Sequence, residues 1–463
     1  MTDVPRARIT VAGLGPGDPS LRTLGTQTAL DRADRIILRT RIHPGLSDLS
    51  DDARVTDCDD LYERAASFDE VYAAAAERVL AVAAESSGEI VYAVPGHPRF
   101  GERSVAILLE RAAAAGIPIG VLAATSFLDT VAVALGVDPL AEQAQLVDAA
   151  ALEAANDRAP FAGGMVPLDP ARPCLVTQVY SQPVAAAAKL ELARAYPDDQ
   201  PIVVVTGAGV PEEERIVRCR LFELDRAPVD HLTSVWVEAV PELNAARSPA
   251  TLQRIAARLR APDGCPWDRK QSHASLRQAV IEEAYETIDA IDADDMENLA
   301  EELGDLLLQV ALHTQIAEEA GEFTLEDVYE VANRKLVRRH PHVFGEAVAE
   351  TAGEVVNTWE AVKAQERARA GKPPKSDAHP FDRLPRSMPA LERARALIGP
   401  RKGDAAPNAD PDALAAAGAT ILAGIEAAIA GGIDPDQALE RALRLRFAPA
   451  APATQTQAGR TDA

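Results

Sequence analysis

Aromatic residues make up 4% of this 463-residue chain, and it has four cysteines, Cys58, Cys174, Cys219 and Cys265. The cysteines are scattered, with no CxxC pair, which excludes a spaced zinc site and a disulfide framework and predicts a reducing, cytoplasmic setting. Positive charge is in short supply. A net charge of −24 excludes non-specific binding to nucleic acid or to an anionic membrane, while leaving room for a local basic pocket. No uncharged apolar run is long enough to span a bilayer: the most apolar stretch, "ILAGIEAAIAGG", is short and holds Glu426. The opening "MTDVPRARITVAGLGPGD" has no basic segment followed by a long apolar core, so no signal peptide is predicted. Apolar residues, alanine above all, account for 47% of the chain, and its length suits two or three domains.

Residues 7–240 alternate short β-branched runs ("ARITVAGLG", "EIVYAVPG", "PCLVTQVY", "PIVVVTGAG") with Ala/Leu/Glu/Arg-rich helical segments, an α/β pattern. A linker at 241–250 leads into an all-helical region over 251–370, with apolar stripes Leu252/Ile255/Leu259, Ile281/Ala284/Tyr285/Ile288/Ile291 and Leu299/Leu303/Leu306/Leu307/Val310. A second linker, "GKPPKSDAHP", precedes further helix over 384–447, and a tail at 448–463 is predicted to be disordered.

Two helices carry the pattern acid-acid-x-x-acid: Glu282, Glu283 and Glu286, then Glu301, Glu302 and Asp305. Each trio falls within an arc of about 100° opposite an apolar stripe. One such face is what any surface helix shows. Two matched faces on helices joined by a short gap, with no Lys or Arg in either patch, repel each other unless a cation joins them. Oxygen ligands without His or Cys suit Mg²⁺, with Mn²⁺ as the alternative. "NRKLVRRHPHVFGE" then supplies Lys335, Arg338, Arg339 and His340, and "WEAVKAQE" supplies Trp359 and Lys363. Acids for a metal, cations for phosphates and an aromatic for a base together suit a nucleoside triphosphate. "GCPWD" reads as a turn, with Trp267 as a packing anchor and Cys265 structural.

"RLRAPDGCPWDRKQSHASL", "EEAYE", "EELGDLLLQV", "RRHPHVFG" and "WEAVKAQE" resemble, in order and spacing, the MazG nucleoside triphosphate pyrophosphohydrolases over about residues 251–370. The resemblance implies an all-α fold, a homodimer formed through this domain, and cleavage of NTP to NMP and pyrophosphate. It places metal ligands on Glu283, Glu286, Glu302 and Asp305, with Glu282 and Glu301 beside them as candidates for the base. Lys335, Arg338, Arg339 and Trp359 match nucleotide-contacting positions, and Lys363 is assigned with them. Residues 384–447 resemble a second copy of the repeat in which Ala415, Ala416 and Ala419 replace Glu301, Glu302 and Asp305.

In the N-terminal region "GLGPGD" follows a strand, placing Gly13, Gly15, Gly17 and Asp18 where backbone approaches a ligand. "YAVPGHPRFGERS" forms a second strand-end loop with Pro95, Gly96, His97 and Pro98. With "AATSFLDTVAVALG", "LVTQVYSQ" and "VVVTGAGVPEEE", these segments resemble the tetrapyrrole (corrin/porphyrin) methylases. That resemblance implies S-adenosylmethionine held between two α/β subdomains. Where characterised members carry an Asp-containing stretch, this chain has "IILRTRIHPGL", which puts Arg39, Arg41 and His43 there, as in the YabN-type subclass fused to MazG. The chain therefore reads as a multidomain protein, an α/β methylase-like domain followed by an α-helical MazG domain. Its expected activity is Mg²⁺-dependent NTP pyrophosphohydrolysis. The alternatives are S-adenosylmethionine-dependent methyl transfer and a nucleotide sensor.

Overall fold

The computed structural model describes residues 7–161, 168–371, 384–385, 387–398 and 411–447. The tail at 448–463 and most of the second linker lie outside the described residues. The chain divides into two compact units, Met1–Glu322 and Phe323–Ala463.

The first unit opens with a five-stranded sheet. Strands β1 (Arg8–Gly13), β2 (Arg35–Leu38), β3 (Val55–Asp57), β4 (Glu89–Val94) and β5 (Ile119–Val121) lie in the order β3-β2-β4-β1-β5, all parallel. A parallel sheet is covered on both faces, and so its strands are apolar throughout rather than alternating. One face carries the helices Phe68–Glu85 and Arg103–Ala115, with Val79, Val105 and Leu108 fully buried. The opposite face packs Leu30, Leu38 and Leu46. A second sheet contains β6 (Gln145–Asp148), β7 (Cys174–Thr177), β8 (Pro201–Thr206), β9 (Arg215–Arg220) and β10 (Thr233–Val237) in the order β6-β7-β10-β8-β9. Only β6 and β7 run parallel in it.

Helix Pro249–Arg260 follows and is tied to the second lobe through Arg254, which pairs with Asp169 at 2.7 Å and Glu242 at 3.1 Å. It packs Leu252 and Ala256 against Leu276, Leu308, Ala311 and Leu312. Those partners belong to or border a helical hairpin, the first acidic helix (Arg277–Asp292) and the second acidic helix (Met296–Ala320). Trp267 does not anchor the preceding turn as expected: it is 62% exposed, and Leu276 and Arg260 fix that segment instead.

The second unit holds the basic helix (Leu325–Arg339), a short turn of helix at Pro341–Phe344, the Trp359 helix (Ala352–Arg369), and helices Ala390–Ile398, Pro411–Ala430 and Pro435–Arg446. Helices Ala390–Ile398 and Pro435–Arg446 are joined by Asp436 accepting from the Ala390 N–H at 2.8 Å and by the Arg393–Glu440 pair at 3.5 Å. Ile421, Leu422 and Ile425 are exposed. Among the described residues no single helix is long and apolar enough to cross a membrane. One bent pair, Ala415–Ala430 with Pro435–Arg446, passes by length and composition, with a 110° break.

Candidate functional site

The hairpin turn decides how the acids meet. The first acidic helix ends at Asp292, Asp294 takes a left-handed φ of +54°, and Asp295 caps the second helix by accepting from the Asn298 N–H at 3.1 Å. So short a turn forces the helices antiparallel, and the two acidic arcs face each other. Glu283, Glu302 and Asp305 each offer a carboxylate oxygen, and these atoms all lie within 4.8 Å of one another. Glu286 stands beside them and Glu301 acts on Glu302 through its charge. Glu282 turns aside, accepting from the Gln278 side chain at 3.4 Å.

Desolvation, then the charges of Asp305, Glu286 and Glu302, raise the pKa of Glu283. Desolvation, then Glu286, Asp305 and Glu301, raise that of Glu302. No cation is among these causes. Converging carboxylates with no counter-charge among the described residues match what a hard divalent cation needs, oxygen donors spaced to close on one ion.

This packing reverses the expected orientation of the first acidic helix. Thr287 and Ala290 are buried on the acid side, while Tyr285, Ile288 and Ile291 are 50%, 48% and 54% exposed. Leu303, Leu307 and Val310 are exposed as well. The apolar stripe that periodicity assigns to the core points outward from the hairpin.

In the second unit the predicted cations gather with the tryptophan. Arg338 and Arg339 both pair with Glu366, at 2.5 and 2.7 Å, and Arg339 foremost holds the Glu366 carboxyl down to about 2. Lys363 pairs with Glu360 at 2.8 Å and sits 5.9 Å from the Trp359 ring centre. His340 meets that ring edge-on at 5.1 Å and donates from Nδ1 to the Leu336 carbonyl at 2.7 Å. Trp359 Nε1 and His342 Nδ1 are buried without a hydrogen-bond partner among the described residues. Lys335 is exposed. Glu366 closes the "WEAVKAQE" segment but escapes a reading that looks for cations, because its partners lie 27 and 28 residues away.

At the C-terminal edge of the parallel sheet, β1 and β4 are neighbours, with Gly13 opposite Val94. Their outgoing connections run in opposite directions across each other, so the two loops must cross. They do so with two backbone hydrogen bonds, Gly15 N–H to the Gly96 carbonyl at 3.2 Å and Gly96 N–H to the Gly15 carbonyl at 2.8 Å. A Cβ on Gly13 would stand 2.4 Å from the Gly96 oxygen and 2.7 Å from Pro98 Cδ. Gly15 has φ +77°. A Cβ on Gly17 would stand 2.4 Å from Val210 Cγ2 of the second lobe. Asp18 caps the following turn by accepting from the Ser20 N–H at 2.8 Å. His97 Nδ1 accepts from the Arg99 N–H at 3.1 Å, and its ring lies edge-on to Phe100. These glycines serve the crossing of the loops.

The cations of "RTRIHP" are not free. Arg39 pairs with the buried Glu102 at 2.9 Å and bonds the Tyr62 hydroxyl. Arg41 pairs with Asp57 at 2.6 Å. His43 is buried, donating from Nε2 to the Gly15 carbonyl at 2.9 Å and accepting at Nδ1 from the Gly45 N–H at 3.2 Å. Burial lowers its pKa to about 4, which leaves it neutral. The expectation of a cationic patch in this loop is corrected: its partners come from β3 and from beyond β4, out of view of the local sequence.

Residues 8–225 match the family model of the tetrapyrrole (corrin/porphyrin) methylases, and residues 271–344 match that of the MazG nucleotide pyrophosphohydrolase domain. Over 393 residues the chain is 39% identical to the uncharacterized protein YabN of Bacillus subtilis, covering 84% of this chain and 76% of that one. Over 146 residues it is 47% identical to the nucleoside triphosphate pyrophosphohydrolase/pyrophosphatase MazG of Thermotoga maritima, covering 32% of this chain and 53% of the relative. The chain thus spans about half the length of that relative. Among solved structures, the uroporphyrin-III-C-methyltransferase of Thermus thermophilus overlays with a TM-score of 0.38 at 20% identity, over 52% of this chain and 95% of that one. An overlay at that level bears on neither substrate nor activity.

Proposed function

The chain belongs to the YabN family, with a tetrapyrrole methylase domain followed by a MazG nucleotide pyrophosphohydrolase domain, and we propose that it hydrolyses nucleoside triphosphates to monophosphate and pyrophosphate in the cytoplasm. The observation that carries this reading is the convergence of Glu283, Glu302 and Asp305 within 4.8 Å, with no counter-charge among the described residues. The MazG relative of Thermotoga maritima is named for the same activity.

Glu283, Glu302 and Asp305, with Glu286 beside them, would hold Mg²⁺, or Mn²⁺ as the alternative. When bound, such an ion supplies Lewis-acid neutralisation of the triphosphate and a water of lowered pKa. The chain's own part is to hold the acids in register on two rigid helices and to accept the water's proton. Glu301, next to Glu302, is better placed for that than Glu282. The water oxygen bonds to the α-phosphorus as the bond to the pyrophosphate oxygen breaks, and pyrophosphate leaves with the electron pair. Within the second unit, Lys335, Arg338, Arg339, Trp359 and Lys363 are the candidates for contact with a nucleotide, the cations for its phosphates and the tryptophan for its base. The exposed face of Tyr285, Ile288, Ile291 and Leu307 supports a homodimer through the hairpin. Pyrophosphate release from a panel of NTPs, with and without Mg²⁺, tests the activity. No release from any of them would overturn it.

A second reading is favoured by the pairing of Arg39 and Arg41 and the neutrality of His43, since no free charge in that loop repels a sulfonium. The N-terminal domain would bind S-adenosylmethionine beside the crossed loops, at the C-terminal edge where open α/β sheets take ligands. Methyl transfer, or a sensor role without transfer, would follow from that binding. Calorimetry with S-adenosylmethionine and S-adenosylhomocysteine tests it, and no heat with either at about 1 mM would exclude it.

A further inference from the structure

The acidic hairpin is closed by its covalent turn at one end, while its other end is held by contacts between side chains. There, His273 in the loop before the first acidic helix meets His313 of the second, Nδ1 to Nδ1, at 2.7 Å. The rings are parallel to within 1°, and their centres are 5.0 Å apart. That separation is close to the largest a 2.7 Å contact permits, so the two rings lie end to end in nearly one plane. A hydrogen bond in that line requires the lone pair of one nitrogen to face the N–H of the other, with one proton between them. Zinc takes imidazole nitrogens at about 2.0 Å each, and so no ion fits in line between these two. Neither histidine has a part in the proposed chemistry.

The geometry points to a proton-sensitive clamp: His273 and His313 are positioning residues that hold the open end of the hairpin and thereby the acid cluster within it. The inference rests on the metal-dependent reading of that cluster. The acids push the two helices apart, and the clamp opposes this at the end where no covalent turn does. Asp305, Gln309 and His313 lie on one face of the second helix at successive turns, so a shift at His313 is carried rigidly to Asp305.

With one shared proton the contact is a hydrogen bond. With both rings protonated, two N–H groups face each other and the contact is lost. The arginines of the helix packed against this end of the hairpin are already engaged. From helix Pro249–Arg260, Arg254 pairs with Asp169, Arg258 with Asp263 and Arg260 with Glu319. Desolvation and the charge of His273 lower the pKa of His313, and no other charged group contributes to that shift.

The test compares His313→Ala, His273→Ala and the doubly substituted H273N/H313N chain, whose amides can bond each other but do not titrate. Mn²⁺ binding to the full-length protein is measured by calorimetry and pyrophosphate release is followed from pH 5.5 to 8.5. Either alanine variant should bind Mn²⁺ roughly tenfold more weakly. The double asparagine variant should restore binding at pH 8 and lose less activity than wild type below about pH 6.5. Mn²⁺ affinity unchanged in both alanine variants, or an identical pH profile in the asparagine variant, overturns the clamp. The metal measurement stands even if no NTP is hydrolysed, in which case the functional reading fails and the clamp is judged on Mn²⁺ alone.

Discussion

The acidic hairpin and the glycine loops are both short motifs that suggest a ligand, yet their residues are used differently. The loops are satisfied internally: Gly13, Gly15 and Gly96 let two crossing connections touch, and His43 bonds the Gly15 carbonyl. The hairpin is left unsatisfied: Glu283, Glu302 and Asp305 converge with no cation among the described residues, and desolvation followed by the neighbouring carboxylate charges raises the pKa of two of them, Glu283 and Glu302. A motif that completes its own bonds argues for architecture, and one that accumulates uncompensated charge argues for a missing ion.

The largest expected effect breaks the hairpin side of this contrast. Glu283→Gln or Asp305→Asn should lower NTP turnover by about 100-fold or more, with thermal stability unchanged or raised because repulsion is relieved. A variant that loses stability along with activity would mean that the acids serve the fold.

On the loop side the order of effects inverts. Gly13→Ala forces a Cβ to within 2.4 Å of the Gly96 oxygen, and overpacking of this kind costs about 1–3 kcal/mol. Thermal unfolding should fall while NTP turnover by the hairpin is kept. A Gly13→Ala protein as stable as wild type would show that the loops are looser than described.

A smaller effect comes from His43, whose pKa burial lowers to about 4. The unfolded chain takes up this proton near the ordinary value of about 6.5, the folded chain only near the lower one. Its contribution to stability is therefore complete above about pH 6.5 and is lost as pH falls toward 4, on the order of 2 kcal/mol. His43→Gln should flatten the stability profile across that window, and an unchanged slope would contradict the neutral, buried assignment. The smallest effect is expected at the 384–447 segment, where alanines stand in place of the acids and Ile421 and Ile425 are exposed. A chain ending at Gly371 should keep full turnover, and lost turnover would give that segment a role in the site.

Much of this was legible in the sequence. The β-branched runs at 8–13, 89–94, 174–177 and 201–206 are strands, and the acids on the two helices converge as their spacing implies. What periodicity could not give was which face of the first acidic helix turns inward. It finds an apolar stripe and assigns it to the core, but Tyr285, Ile288 and Ile291 point away from the partner helix. The charges of Arg39 and Arg41 misled because Glu102 and Asp57 are far along the chain. The His273–His313 contact was missed, although a signal existed: the two histidines lie at nearly equal distances on either side of the hairpin turn at Asp294, as paired positions of an antiparallel hairpin must.

The central claim is that the acid cluster directs water to the α-phosphorus. Turnover of an NTP by the full-length protein with Mg²⁺ in ¹⁸O-labelled water, read by mass spectrometry, tests it most directly. The label should appear in the nucleoside monophosphate with unlabelled pyrophosphate beside it, and Glu283→Gln should lower both products by about 100-fold or more. Label in orthophosphate or in pyrophosphate, or undiminished product from Glu283→Gln, would contradict it.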